Sequence, residues 1–224
     1  MNKKMKIFTI LLGMVIFFLV IGSVGVYAFN WENTISYYRL DGTSGNVIDD
    51  LLANPGENVG ATRGITGIID DAFDFDGSGD YINLTDSADW DTIRAVSLWI
   101  KAETQVANDW ILSNSADGQA GGIRLRFQSA STTIATEWLT DGDTGIISYS
   151  GYGDQTGSWS SIILNWNTGT NNLEMWIDGV NVQNDTSISG VFNSPNEMLL
   201  GEFSSFQGNT FDGIMDEVAF LIQL

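Results

Sequence analysis

Three short rows of aromatic and charged residues recur at every second position. Trp99 and Lys101 alternate with Val96, Leu98 and Ile100, Arg124 and Arg126 stand two apart in GIRLRFQS, and Glu174, Trp176 and Asp178 do so in LEMWIDG. A two-residue spacing puts each row on one side of a strand. An indole face that can stack on the C–H surface of a sugar, beside charged groups that hydrogen-bond its hydroxyls, is what a lectin site needs. Trp99, Lys101, Arg124, Arg126, Glu174, Trp176 and Asp178 are therefore candidate ligand-binding residues on a wet sheet face. A plainer alternative stands beside this one. The charges can pair across strands, worth a few tenths of a kcal/mol each, while the tryptophans cover the sheet under loops. A ligand could also sit on the glycine-rich loops 117–122 and 141–153.

Composition removes several other chemistries. The chain has no Cys and no His. Thiol nucleophiles, disulfides, His-based triads and His or Cys zinc sites are excluded, and any metal must be a hard cation held by oxygens. Of nine basic residues three precede the apolar N-terminal run, whereas all 28 acidic residues follow it. Such a surface repels phosphate backbones, so a nucleic-acid partner is not expected. No phosphate-binding glycine loop with Lys and no Gly-x-Ser-x-Gly elbow occurs.

The elements that must position these rows are strands. Two prolines against 25 glycines, with 43% hydrophobic residues, fit many strands joined by tight turns. From Trp159 to Val182 the chain reads as three strands and two turns. Asp178-Gly179 predicts a type I′ hairpin pairing Ile177 with Val180 and Met175 with Val182. Further strands are expected over 35–40, within 69–84, over 95–103, 110–114, 122–129, 132–139, 145–150 and 198–205, and toward the C-terminus. The stretch 51–67 reads as loop, broken by Pro55-Gly56 and further glycines. Residues 1–28 read as a signal peptide or an uncleaved N-terminal anchor: a basic MNKKMK, an apolar run, then Val26-Tyr27-Ala28. Either places the rest of the chain, 29–224, outside the cytoplasm, secreted or at the cell surface, with the membrane reached only through that segment.

YYRLDGTSGNVIDD, GIIDDAFDFDGSGDYINL, VSLWIKAE, WSSIILNWN joined to LEMWIDGVNV, LLGE and FDGIMDEVAF stand in one order. Together they resemble the laminin-G-like, or pentraxin-like, jelly roll of the concanavalin A-like lectin and glucanase superfamily, over about residues 34–220. The resemblance implies an all-β antiparallel sandwich of two sheets with six or seven strands each, its first and last strands paired. It also implies an extracellular binding or adhesion module, a partner that is a glycan or a cell-surface protein, and a structural calcium ion where the loop after the first strand meets the last strand. The matching calcium positions are Asp49 and Asp216, with Asp41 and Asp50 as extras. The plain alternative for these acids is turn formation and solvation. Asp74, Asp76 and Asp80 are better explained as a hairpin turn than as a calcium loop.

Catalysis is not expected. Glycosidases of this superfamily carry Glu-x-Asp-x-Glu on one strand, whereas Glu174-x-Trp176-x-Asp178 puts a Trp at the centre and uses Asp178 in a turn. Carboxylates four residues apart on a strand start about 13 Å apart at Cα, against roughly 5 Å between carboxyl groups in a retaining site. The reading is a non-catalytic binding module, with an adhesive protein-interaction module or an accessory domain of a glycosidase as alternatives.

Overall fold

In the computed structural model, residues 31–85, 88–114, 121–128, 132–192, 197–203 and 210–222 are described. The expected leader, and 117–120 of one expected loop site, lie outside them. Among the described residues no helix is long and apolar enough to cross a membrane. In chain order the strands are β1 (Thr34–Tyr38), β2 (Glu57–Val59), β3 (Thr62–Thr66), β4 (Asp71–Asp76), β5 (Tyr81–Asn83), β6 (Ala95–Ala102), β7 (Trp110–Ser113), β8 (Gly122–Gln128), β9 (Thr133–Leu139), β10 (Thr144–Tyr149), β11 (Ser160–Asn167), β12 (Asn172–Ile177), β13 (Val180–Asp185), β14 (Leu199–Leu200) and β15 (Asp212–Leu221).

The strands make two antiparallel sheets. The first has eight strands in the order β13-β12-β11-β6-β15-β4-β3, with β1 also on β15, and the second has seven in the order β10-β9-β8-β7-β14-β5-β2. Both are as antiparallel as expected, and the first is one strand larger. Strand β15 organises the first sheet. Its early half pairs with β4 (Met215 opposite Phe73) and its late half with β1 (Ala219 opposite Tyr37), so the first and last strands pair.

Alternating apolar residues explain why the sheets stack. Val96, Leu98, Ile100, Ile162, Leu164, Leu173 and Met175 of the first sheet are fully buried, as are Ile123, Leu125, Phe127 and Ile134 of the second. Large rings fill the space between, with Trp138 lying 6.2 Å from Trp166 and 5.7 Å from Phe192. Interdigitated side chains from two inner faces are what hold such sandwiches.

Two local expectations need correction. Asp178 and Gly179 both adopt left-handed backbone (φ 50 and 76), the type I′ requirement, and Ile177 does pair with Val180. A bulge then puts Met175 opposite Gln183, leaving Val182 as the extra residue. Val180 is 60% exposed because β13 is an edge strand. The stretch 51–67 also contains β2 and β3, which the sequence reads as loop. Neither carries a hydrophobic alternation, and their hydrogen bonds to β5 and β4 define them.

Candidate functional site

The ligand-binding candidates divide between the outer faces of opposite sheets. Trp99 and Lys101 (β6), Glu174 and Trp176 (β12) and Asp178 belong to the first sheet, whereas Arg124 and Arg126 (β8) belong to the second. The expected single platform therefore does not assemble. Alternation tells which residues face outward from a strand, but not which sheet that strand joins.

On the first face, Trp99 stands opposite Ser161, and Trp176 opposite Ile163 of the intervening β11. All three bulky side chains are half-buried, forming an aromatic and aliphatic strip. Glu174 beside it is held by neutral donors: Asn172 Nδ2 at 2.8 Å, Trp176 Nε1 at 3.1 Å and Asn165 Nδ2 at 3.3 Å. Asp178 occupies the first position of its turn (φ 50), and its carboxylate accepts from Ser161 N of β11 at 2.8 Å.

The second face is built on charge over rings. Arg124 and Arg126 are consecutive outward residues of β8, and β9 places Glu137 directly opposite Arg124. Glu137 divides its carboxylate, with Oε2 3.0 Å from Arg124 Nη1 and Oε1 3.0 Å from Arg126 Nη2. Beneath them Trp110 and Phe203 stack with centroids 4.4 Å apart. The guanidinium of Arg126 lies 4.9 Å from the Trp110 ring and that of Arg124 lies 5.2 Å from Phe203. The ring under each guanidinium and the carboxylate the two share hold the cluster in place, so it is pre-organised. Arg126 also donates through Nη1 to Asn108 Oδ1.

Glu137, Trp110, Phe203 and Asn108 are residues that sequence reasoning missed. Glu137 sits in the outward register of TIATEWL, which was a usable signal, but only the β8–β9 pairing brings it to both arginines. Trp110 and Phe203 look like ordinary core residues in WILS and GEFS.

The calcium candidates fit only in part. Asp49 is 1% exposed, and its carboxylate accepts four backbone N–H groups: Tyr37 at 3.0 Å, Leu51 at 3.0 Å, Ala53 at 3.2 Å and Asn54 at 2.9 Å. With both oxygens surrounded by donors it locks loop 49–54 and does not fit a cation. Asp50 pairs with Arg39. Asp41 divides its oxygens between Arg39 Nη1 and Asp71 N, each at 3.1 Å. Asp216 differs. Its Oδ2 accepts from Ile68 N at 2.8 Å and Ile69 N at 3.2 Å, while its buried Oδ1 has no partner among the described residues. The close approach needs Gly67, where a Cβ would stand 2.5 Å from Asp216 Oδ2. Burial, with the Asp41 charge nearby, pushes the Asp216 carboxyl up to about 7. Burial likewise pushes its neighbour Glu217, which accepts the Tyr37 hydroxyl, up to about 8. Among the described residues no group of three or more acidic side chains is arranged to hold a metal. A cleft of about 200 Å³ beside Arg39, Asp41, Ile48 and Phe73 includes no ligand-binding candidate from either face.

Comparison with known proteins agrees with this architecture. No curated protein matches the chain. Among solved structures, domain 4 of the GH43 extracellular arabinanase AbnA from Geobacillus stearothermophilus, in complex with arabinotriose, is 21% identical with a TM-score of 0.65, covering 84% of this chain and 92% of that one. The Ruminococcus gnavus IT-sialidase CBM40 bound to alpha2,3 sialyllactose is 14% identical with a TM-score of 0.57, covering 68% and 90%. The binding domain of botulinum neurotoxin serotype D is 16% identical with a TM-score of 0.62, covering 86% of this chain and 49% of that domain. At these identities the likeness is one of fold. A laminin G-type family profile, described as the concanavalin A-like lectin/glucanases superfamily, matches residues 76–221. The chain belongs to the laminin G-like branch of the concanavalin A-like lectin/glucanases superfamily.

Proposed function

We propose that this chain is a non-catalytic carbohydrate-binding module acting outside the cytoplasm, with its glycan site on the outer face of the second sheet around Arg124, Arg126 and Glu137. The observation that carries the reading is the Arg–Glu–Arg cluster on the Trp110–Phe203 stack. Fixed hydrogen-bonding groups over a rigid aromatic floor suit a hydroxyl-rich ligand that must be oriented. Similarity to sugar-bound domains of an arabinanase and a sialidase supports it. The non-catalytic part is supported by the Trp at the centre of the Glu174–Asp178 row and by the use of Asp178 in a turn. The extracytoplasmic part is supported by the leader-like residues 1–28 and by the extracellular enzyme that carries the arabinanase domain. On this reading the calcium ion expected from the sequence belongs to Asp216 and Asp41, with carbonyls and water completing its shell, and not to Asp49.

A glycan array with the purified domain tests the reading. Binding that falls at least about tenfold in Glu137→Gln is expected, because one amide oxygen cannot hold both guanidinium groups. The half-exposed strip of Trp99, Ile163 and Trp176 favours a second reading, contact with a surface protein. A blank array, together with capture of a defined cell-surface protein that fails in a Trp99→Ser/Trp176→Ser variant, would replace the first reading by the second.

A further inference from the structure

We infer that the ligand of the second face is an acidic glycan, carrying a carboxylate or sulfate, and that Arg126 is the group that meets its negative charge. This rests on the carbohydrate-binding reading above and narrows it to a ligand class. The five arginines of the chain spend their donors differently. Arg39 is closed off by Asp41 and Asp50. Arg63 donates to the carbonyls of Gly42 and Gly45, and Arg94 to those of Asp91 and Ile93. Arg126 keeps Glu137 on one edge, but its Nη1 is met by the side-chain carbonyl of Asn108, a neutral group on an exposed residue. Its Nε–H is buried and has no acceptor among the described residues, so the contact open to a ligand is the one at Nη1.

An anion reaches Arg126 by taking the place of the exposed Asn108 amide at Nη1. A guanidinium bond to a carboxylate or sulfate is roughly twice as strong as one to a neutral acceptor, and is often bidentate. A ligand anion replacing the Asn108 amide therefore gains a charge-assisted bond where the free protein has a neutral one. A sugar hydroxyl replacing the same amide gains nothing comparable. Exposure selects Arg126 as the contact, since its side chain is 19% exposed against 7% for Arg124. Little order is lost on binding, because the Trp110 ring and Glu137 already hold the guanidinium. The chain's net charge of -19 opposes an anionic ligand at long range. Charges farther than the Debye length of about 8 Å at physiological salt are largely screened, so the local contact decides.

The test is an array of paired neutral and acidic glycans: lactose against sialyllactose and sulfated lactose, and oligogalacturonate against its carboxyl-reduced form. Calorimetry on the best pair follows. The acidic member should bind at least about tenfold more tightly. That preference should vanish in Arg126→Gln. It should vanish also in Asn108→Asp, which gives Arg126 an internal carboxylate at a left-handed position (φ 73) that Asp also adopts. Circular dichroism and melting confirm that both variants fold. Equal binding within every pair overturns the acidic-ligand inference and leaves the carbohydrate reading standing. A preference that survives both variants overturns the role of Arg126. No binding to any member removes both inference and reading.

Discussion

The outer faces of the two sheets cover themselves in different ways. The first face leaves half-buried Trp99, Trp176 and Ile163 at its surface and satisfies Glu174 with neutral amide and indole donors. The second buries its rings, at 7% exposure for Trp110 and 1% for Phe203, beneath two arginines that share one carboxylate. An exposed indole is an adaptable, weakly directional contact. A stacked and paired guanidinium is a directional one, aimed before any ligand arrives. Outward Trp and outward Arg, equivalent in a sequence pattern, do separate jobs once the sheets are assigned.

The largest expected effect separates the two glutamates. Glu137→Ala leaves Arg124 and Arg126 nearly buried without their carboxylate, and should cost about 3 kcal/mol of stability. Glu174→Ala removes only an acceptor for neutral, partly solvated donors and should cost about 1 kcal/mol. Urea unfolding of both variants measures the contrast. Equal losses would mean that the second-face cluster is no more demanding than an ordinary surface network.

Next is pH, to which the last strand of the first sheet is sensitive. Asp216 (about 7) and Glu217 (about 8) have carboxyls raised by burial above ordinary values near 3.8 and 4.5. The folded state therefore keeps protons that the unfolded chain has already released between about pH 4 and pH 8. Stability falls as pH rises through that window, by several kcal/mol between pH 5 and pH 8. Melting curves across that range should slope downward, and Asp216→Asn should make the slope shallower, with Glu217 still contributing. Calcium works against the slope, because it needs the deprotonated acid. Its addition should raise the melting temperature more at pH 8 than at pH 5, and not in Asp216→Asn. A melt indifferent to calcium at pH 8 removes the ion from the reading.

Much of this was legible in the sequence, and the gaps have physical causes. Period-two alternation in β6, β8, β11 and β12 sorted inward from outward residues, and Asp178-Gly179 announced its hairpin, because both depend only on near neighbours. The polar edge strands β2 and β3 were not legible, since their evidence is hydrogen bonding to distant partners. The bulge at Met175–Trp176 was hidden for a similar reason: a single extra residue leaves the hydrophobic pattern almost intact. Asp49 shows the limit most clearly. As a letter it is a calcium ligand or a turn former, and only its four N–H donors reveal that it closes a loop.

The smallest expected effect isolates the ligand face. Trp99→Ser and Trp176→Ser together remove the two outward indoles of β6 and β12, and each should cost about 1 kcal/mol because the side chains are only half-buried. If the sugar site lies on the second sheet, affinity for the best glycan should change by less than about twofold, since substitutions without shared partners are nearly additive and uncoupled. Calorimetry with the double variant decides it. A tenfold loss would move the site to the first face, where Glu174 and the indoles would be the binding groups and the arginine cluster would revert to a structural pair.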